Sequence, residues 1–261
     1  MRKDIVRQWI NVLALVVTFA INSLAAILPL GGLTTGEISD LFPVYFTPAN
    51  YVFRIWFLIY AALFGFIVYQ ALPAQRDNPR LRRVGYLFVL SSLANTVWLL
   101  LWHFQKFPLS LLAMIVLLLT LIVIYLRLGI GRSKVSTAET WLVRVPFSIY
   151  LGWITVATIA NATTVLEYLN WSGWGISPQI WTVIMLAAAT VIGALVSLTR
   201  GDAAYMLVLV WAFVGIAVKH AATPVVATAA WVAAALAAIM LVVGVLLKRA
   251  RGRGRGARSE G

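Results

Sequence analysis

The chain has 261 residues, of which 62% are hydrophobic and 11% charged, with a formal net charge of +13. Soluble domains carry about 45–50% apolar and about 25% charged residues, so a water-soluble fold is excluded, whereas a bilayer solvates an apolar outer face directly. The absence of cysteine excludes disulfides and thiolate sites; the two histidines, His103 and His220, are too far apart in the chain to suggest a metal cluster, and the cations fall between apolar runs and not on one soluble nucleic-acid-binding face.

Hydropathy predicts an all-α integral membrane protein with spans at about 7–29, 48–71, 82–103, 107–127, 145–167, 178–199, 203–219 and 224–247, each near the about 20 residues that cross a bilayer as a helix. The seventh is short and is followed by Pro224, so seven spans is the alternative to eight. The first span begins basic and contains Ser23-Leu24-Ala25, a step like a signal-peptide cleavage site. Its apolar run exceeds a usual signal core, so it is read as an uncleaved helix. The connection from Gly31 to Thr47, with Glu37, Asp40 and Pro43 and with Pro48 just after it, either caps a cavity or is a plain connector.

Three spans carry polar and aromatic residues at helical spacing. The second has Phe53, Trp56 and Tyr60, the third Ser91, Asn95, Trp98 and Trp102, the fifth Tyr150, Trp153, Ala157 and Asn161. Steps of three and four place each set on one helix face. An amide in hydrocarbon costs several kcal/mol without partners, so Asn95 and Asn161 should face protein, water or a ligand. Aromatic walls with a few amides suit a large, flat, mostly apolar molecule. The competing reading is plain helix–helix hydrogen bonding, with end tryptophans in the interfacial belt, as for Trp9, Trp141, Trp171 and Trp174. Arg54 either snorkels to headgroups or holds a ligand anion beside Trp56. Asp202 suits the start of the seventh helix as a cap. No nucleophile–base pair, metal-ligand spacing or phosphate loop is present.

With the N-terminus in the cytoplasm, 18 of the 21 Lys and Arg lie inside, leaving Arg54, Lys106 and Lys219 outside. That asymmetry favours an even number of spans with both termini cytoplasmic. Residues 249–261, rich in Arg and Gly, read as a disordered basic tail that meets anionic lipid headgroups.

The stripes resemble the translocator protein / tryptophan-rich sensory protein (TspO/MBR) family. Phe53, Trp56, Tyr60 and Gly65 are similar to its first motif, with the glycine one residue late; Asn95, Trp98 and Trp102 match the third-helix motif; and Tyr150, Trp153 and Asn161 keep the fifth-helix spacing, with Pro146 slightly earlier. The resemblance implies a five-helix bundle over residues 1–168 with a cavity capped by the first outer loop. It implies a porphyrin- or haem-like, sterol-like or other lipid-like ligand, a pocket at Trp56, Tyr60, Asn95, Trp98, Tyr150, Trp153 and Ala157, and a homodimer. The loop lacks the family's tryptophan and Lys-Pro run, and the cholesterol motif after the fifth helix is missing. Residues 169–248 read as about three additional spans. The leading expectation is a non-enzymatic receptor or sensor in a bacterial inner (plasma) membrane. A transporter, a subunit of a membrane complex and a porphyrin-processing enzyme are the alternatives.

Overall fold

A computed structural model describes residues 2–28 and 30–257, with side chains as far as Arg251. Among these residues there are helices and no strands. The helices are α1 (Arg2–Ile27), α2 (Thr35–Ser39), α3 (Ile55–Ala71), α4 (Pro79–Val84), α5 (Leu87–His103), α6 (Phe107–Arg127), α7 (Thr137–Glu139), α8 (Val145–Tyr168), α9 (Pro178–Arg200), α10 (Ala203–Lys219) and α11 (Pro224–Ala257). Six helical stretches are long and apolar enough to cross a bilayer, and α5 and α10 are apolar helices of 17 residues. At 1.5 Å per residue each of the two is about 25 Å long, a little under the hydrocarbon thickness of about 30 Å. The protein is an all-α, multi-pass integral membrane protein.

Boundaries follow local chemistry. Ser177 and Pro178 start α9, with the serine side chain accepting from the Ile180 N–H. Asp202 caps α10 as expected, accepting from the Tyr205 N–H. The third span begins later than expected, at Leu87, because Gly85 at φ +53° closes α4 and turns the chain before α5. The second begins with a 3₁₀ turn, Asn50–Arg54, ahead of α3. The last helix runs on to Ala257, so residues 249–257, read as disordered tail, are helical: propagation adds one bond per residue once the apolar run has nucleated the helix. Residues 258–261 of that tail lie outside the described residues.

The five helices α1, α3, α8, α6 and α5 close a ring in that order, each packed on the next. Polar residues zip α1 into it. Gln8 donates to the Gln70 carbonyl at 2.6 Å and Thr18 to the Ser92 carbonyl at 3.1 Å. Helices α9, α10 and α11 pack on one another and meet the ring mainly through α10 against α8. There Gly152 lets the α10 backbone approach closely: a β-carbon on it would stand 3.1 Å from the Tyr205 carbonyl oxygen. Large apolar side chains such as Phe57, Leu112, Leu119 and Leu195 remain exposed on the outside, where lipid is the solvent.

Candidate functional site

Four flat rings from α3 and α5 stack through one end of the ring of helices. Trp56 lies over Tyr60 at 5.7 Å and over Trp98 at 6.2 Å, and Trp98 over Trp102 at 6.1 Å, with interplanar angles of 25–27°. Trp153 of α8 meets Trp56 edge-on at 6.3 Å, and Phe53 meets Trp153 in the same manner at 5.8 Å. Centroid spacings of this order are those at which offset and edge-on aromatic pairs gain energy beyond their buried area.

Between these rings and the loop over them is a hollow of about 40 Å³. Phe53, Trp56, Trp98, Trp102, Trp153, Ala157 and Asn161 line it, and Thr35, Ser39 and Pro48 belong to its roof. One water needs about 10–15 Å³ of such space, so the hollow holds a chemical group and not a whole tetrapyrrole. Its lining contains two orphaned donors. The indole N–H groups of Trp98 and Trp153, in side chains 5% and 2% exposed, have no acceptor among the described residues.

The polar residues expected beside the rings form the floor. Asn95 donates to the Tyr150 hydroxyl at 2.9 Å, and its carbonyl oxygen accepts from Asn22 at 3.1 Å and from Tyr60 at 3.4 Å. One amide therefore ties α1, α3, α5 and α8 together and presents no free group to the hollow. Asn161 exchanges hydrogen bonds with Ser110 of α6, at 3.1 and 3.4 Å, and also reaches the lining. Two expected residues stand apart. Ser91, a turn below Asn95, donates to the Phe88 carbonyl of its own helix at 2.8 Å. Arg54 ends the 3₁₀ turn, whose tighter winding leaves its side chain exposed and outside the lining.

Sequence reasoning missed Asn22 and Ser110. Asn22 was legible: Gln8, Asn11, Thr18 and Asn22 fall on one face of α1 and reach α3, α5 and the loops beside them.

The loop is fastened as a lid at both sides. On the α5 side, Trp102 Nε1 donates to the Thr35 carbonyl at 3.2 Å, and the His103 ring bonds Thr35 Oγ1 at 3.2 Å and the Leu30 carbonyl at 3.0 Å. Thr34 and Glu37 form a reciprocal capping box on α2, the arrangement that satisfies the first orphan donors of a helix. On the other side α9 and α10 grip the loop. Lys219 pairs with Asp40 and donates to Thr47 Oγ1 at 3.0 Å, while Gln179 donates to the Tyr45 hydroxyl at 3.1 Å. Gly215 passes so close beneath that a β-carbon would stand 2.2 Å from Val52 Cγ2. Of the two readings of the loop, the cap is the one this geometry fits.

The molecule is thus an all-helical membrane protein with a lidded aromatic hollow in a five-helix ring. The chain matches the model of the family described as TSPO-like protein over residues 8–243, and it belongs to that family. The match runs through α9 and α10 and most of α11, so these helices lie inside the family's extent and not beyond it, a correction to the reading of them as an added extension. The grip of α9 and α10 on the lid makes physical sense of that. No curated protein and no solved structure matches the chain.

Proposed function

We propose that this protein is a membrane receptor or sensor for a large, flat, mostly apolar ligand of the tetrapyrrole or sterol- and lipid-like class, with the lid over residues 35–48 lifting to admit it. The observation carrying this reading is the pair of unpartnered indole donors, Trp98 and Trp153, at a mostly apolar hollow. A buried donor without an acceptor costs about 1–3 kcal/mol. A ligand that places a carbonyl, carboxylate or ring nitrogen at that edge recovers it, while its apolar body stacks on Trp56 and Trp102. The proposed sidedness rests on charge: the lid end carries Arg54, Lys106 and Lys219, and the opposite end most of the other cations. That supports eight spans with both termini cytoplasmic in an inner (plasma) membrane.

Titrating the purified protein with protoporphyrin and with a sterol, followed by tryptophan fluorescence, tests the proposal. Trp98→Phe and Trp153→Phe keep a ring and remove the donor. Each is expected to weaken saturable binding about fivefold, the worth of one neutral hydrogen bond. Quenching that never saturates, or is unchanged in both variants, overturns the reading in favour of simple partitioning.

A further inference from the structure

The opposite end of α8 holds a second and much larger cavity, of about 1350 Å³. It is an open cleft bordered by the loop 130–135, the π-helical turn Thr140–Arg144, the start of α8, the corner between α9 and α10, and the end of the apolar part of α11. Arg132 and Lys134 enter it from the loop, Arg144 from the π turn and Arg200 from α9; Lys248, Arg249 and Arg251 complete the wall from α11. Among the described residues of its lining one carboxylate, Asp202, stands against these seven cations. Its oxygens are already taken by Tyr125 at 2.8 Å, Ser148 at 2.6 Å and the Tyr205 N–H at 3.2 Å. Glu139, just before the π turn, is held by Arg80 through both oxygens and also acts electrostatically on Arg144.

Loose cations on a cytoplasmic face need no ligand, since charge bias alone places them there. Arg144 is different. Its side chain is 8% exposed and has no carboxylate within ion-pair distance among the described residues. Its two terminal nitrogens bond the Ser133 and Leu128 carbonyls and Ser133 Oγ, and its Nε has no partner among the described residues. A nine-tenths buried guanidinium with an unused donor, in a wall of further cations, is an arrangement that stabilises an anion. The frame is stiff enough to hold it. Gly131, at φ +75°, lies so close to α9 that a β-carbon would stand 2.1 Å from the Arg200 carbonyl oxygen, and Arg251 reaches back to the Leu198 carbonyl at 3.2 Å. The cavity exceeds the about 300–1,000 Å³ of small-molecule pockets, and converging cations concentrate anions within it.

We infer that this basic cavity is a binding site for a phosphate-bearing anion, held between the five-helix ring and the last three helices and independent of the aromatic hollow. The phosphate arrives either on a lipid headgroup or on a soluble molecule. Two measurements on the full chain separate these sources. In nanodiscs of phosphatidylcholine alone, inorganic phosphate is titrated at constant ionic strength while thermal unfolding is followed. In parallel, protein taken from discs containing phosphatidylglycerol is weighed by native mass spectrometry for retained lipid. Saturable stabilisation in the first assigns a soluble anion; retention in the second alone assigns a headgroup. Lys134→Gln and Lys248→Gln, both at exposed positions, are each expected to weaken the effect about fivefold, and Arg144→Gln at least as much. Arg83→Gln, an exposed cation outside the cavity, is expected to change nothing. The inference fails if neither measurement gives specific binding, or if Arg83→Gln weakens it as much as the two lysine variants do.

Discussion

The two ends of α8 are built on opposite principles. Around Trp153 and Asn161, rings from three helices and a pinned loop close down to a hollow of about 40 Å³. Around Thr140 and Ser148, seven cations border a space of about 1350 Å³. Aromatic faces gain from contact and collapse onto one another. Like charges gain from separation and from water, so a wall of them keeps its space open. One helix thus serves a closed aromatic end and an open basic end, and the sequence changes character accordingly, from Arg144 just before α8 and Ser148 within it to Trp153 and Ala157.

The largest expected effect tests whether the open end stands on a rigid frame. Gly131→Val introduces a branched side chain where φ is +75° and the Arg200 backbone would meet the first carbon at 2.1 Å. Left-handed strain and overpacking together should cost about 2–4 kcal/mol. Arg132→Ala, the next residue and exposed, should stay within about 0.5 kcal/mol. Thermal unfolding in one detergent compares the two, and equal stability of both variants would mean that the loop yields freely.

At the closed end the floor is expected to matter more for stability than for ligand affinity. Asn95→Leu keeps the volume and removes three hydrogen bonds, one each with Asn22, Tyr60 and Tyr150. Bonds between membrane helices average about 0.6 kcal/mol each, giving a loss of about 2 kcal/mol. Binding of protoporphyrin, measured below the lowered melting temperature, should change less than it does in Trp98→Phe. The reverse order would move Asn95 from the floor to the lining.

The same contrast explains what was legible beforehand. Steps of three and four in the sequence brought Trp56, Trp98, Trp102 and Trp153 together, because helical periodicity dictates a face and a bilayer forces polar or aromatic faces inward. The periodicity could not say how far along a face the hollow ends. Asn95 and Trp98 share a stripe, yet one is floor and the other wall, a distinction set by the Tyr150 hydroxyl on another helix. Arg54, left open between snorkelling and holding a ligand anion, is exposed at the end of the 3₁₀ turn, a position that fits snorkelling. The basic cavity was present in the sequence only as a charge bias. Its shape depends on Gly131, Gly201 and the π turn, whose close approaches are tertiary. The lid's grip by α10 joins residues such as Asp40 and Lys219, whose pairing no local spacing reveals.

The smallest effect sharpens the comparison through pH, since the lid is the part of the closed end that the proposed ligand entry would require to move. His220 bonds the Thr47 carbonyl at 3.2 Å, and burial, with the neighbouring Lys219 charge, pulls its pKa below the ordinary 6.5. The folded state therefore binds this proton less readily than the unfolded one. Stability at the lid is full at neutral pH and falls as the pH drops below about 6.5. Glu37 acts in the same direction lower on the scale. The Thr34 backbone N–H and hydroxyl hold its carboxyl below 4.5, so protonating it releases the capping box. Hydrogen exchange of residues 34–47, corrected for intrinsic rates, should show protection falling in two steps on acidification, with α8 unaffected. His220→Gln should erase the upper step and leave the lower one. A single step unaltered by that substitution would show that the lid is held independently of α10, and the contrast between a clasped end and an open one would lose its mechanism.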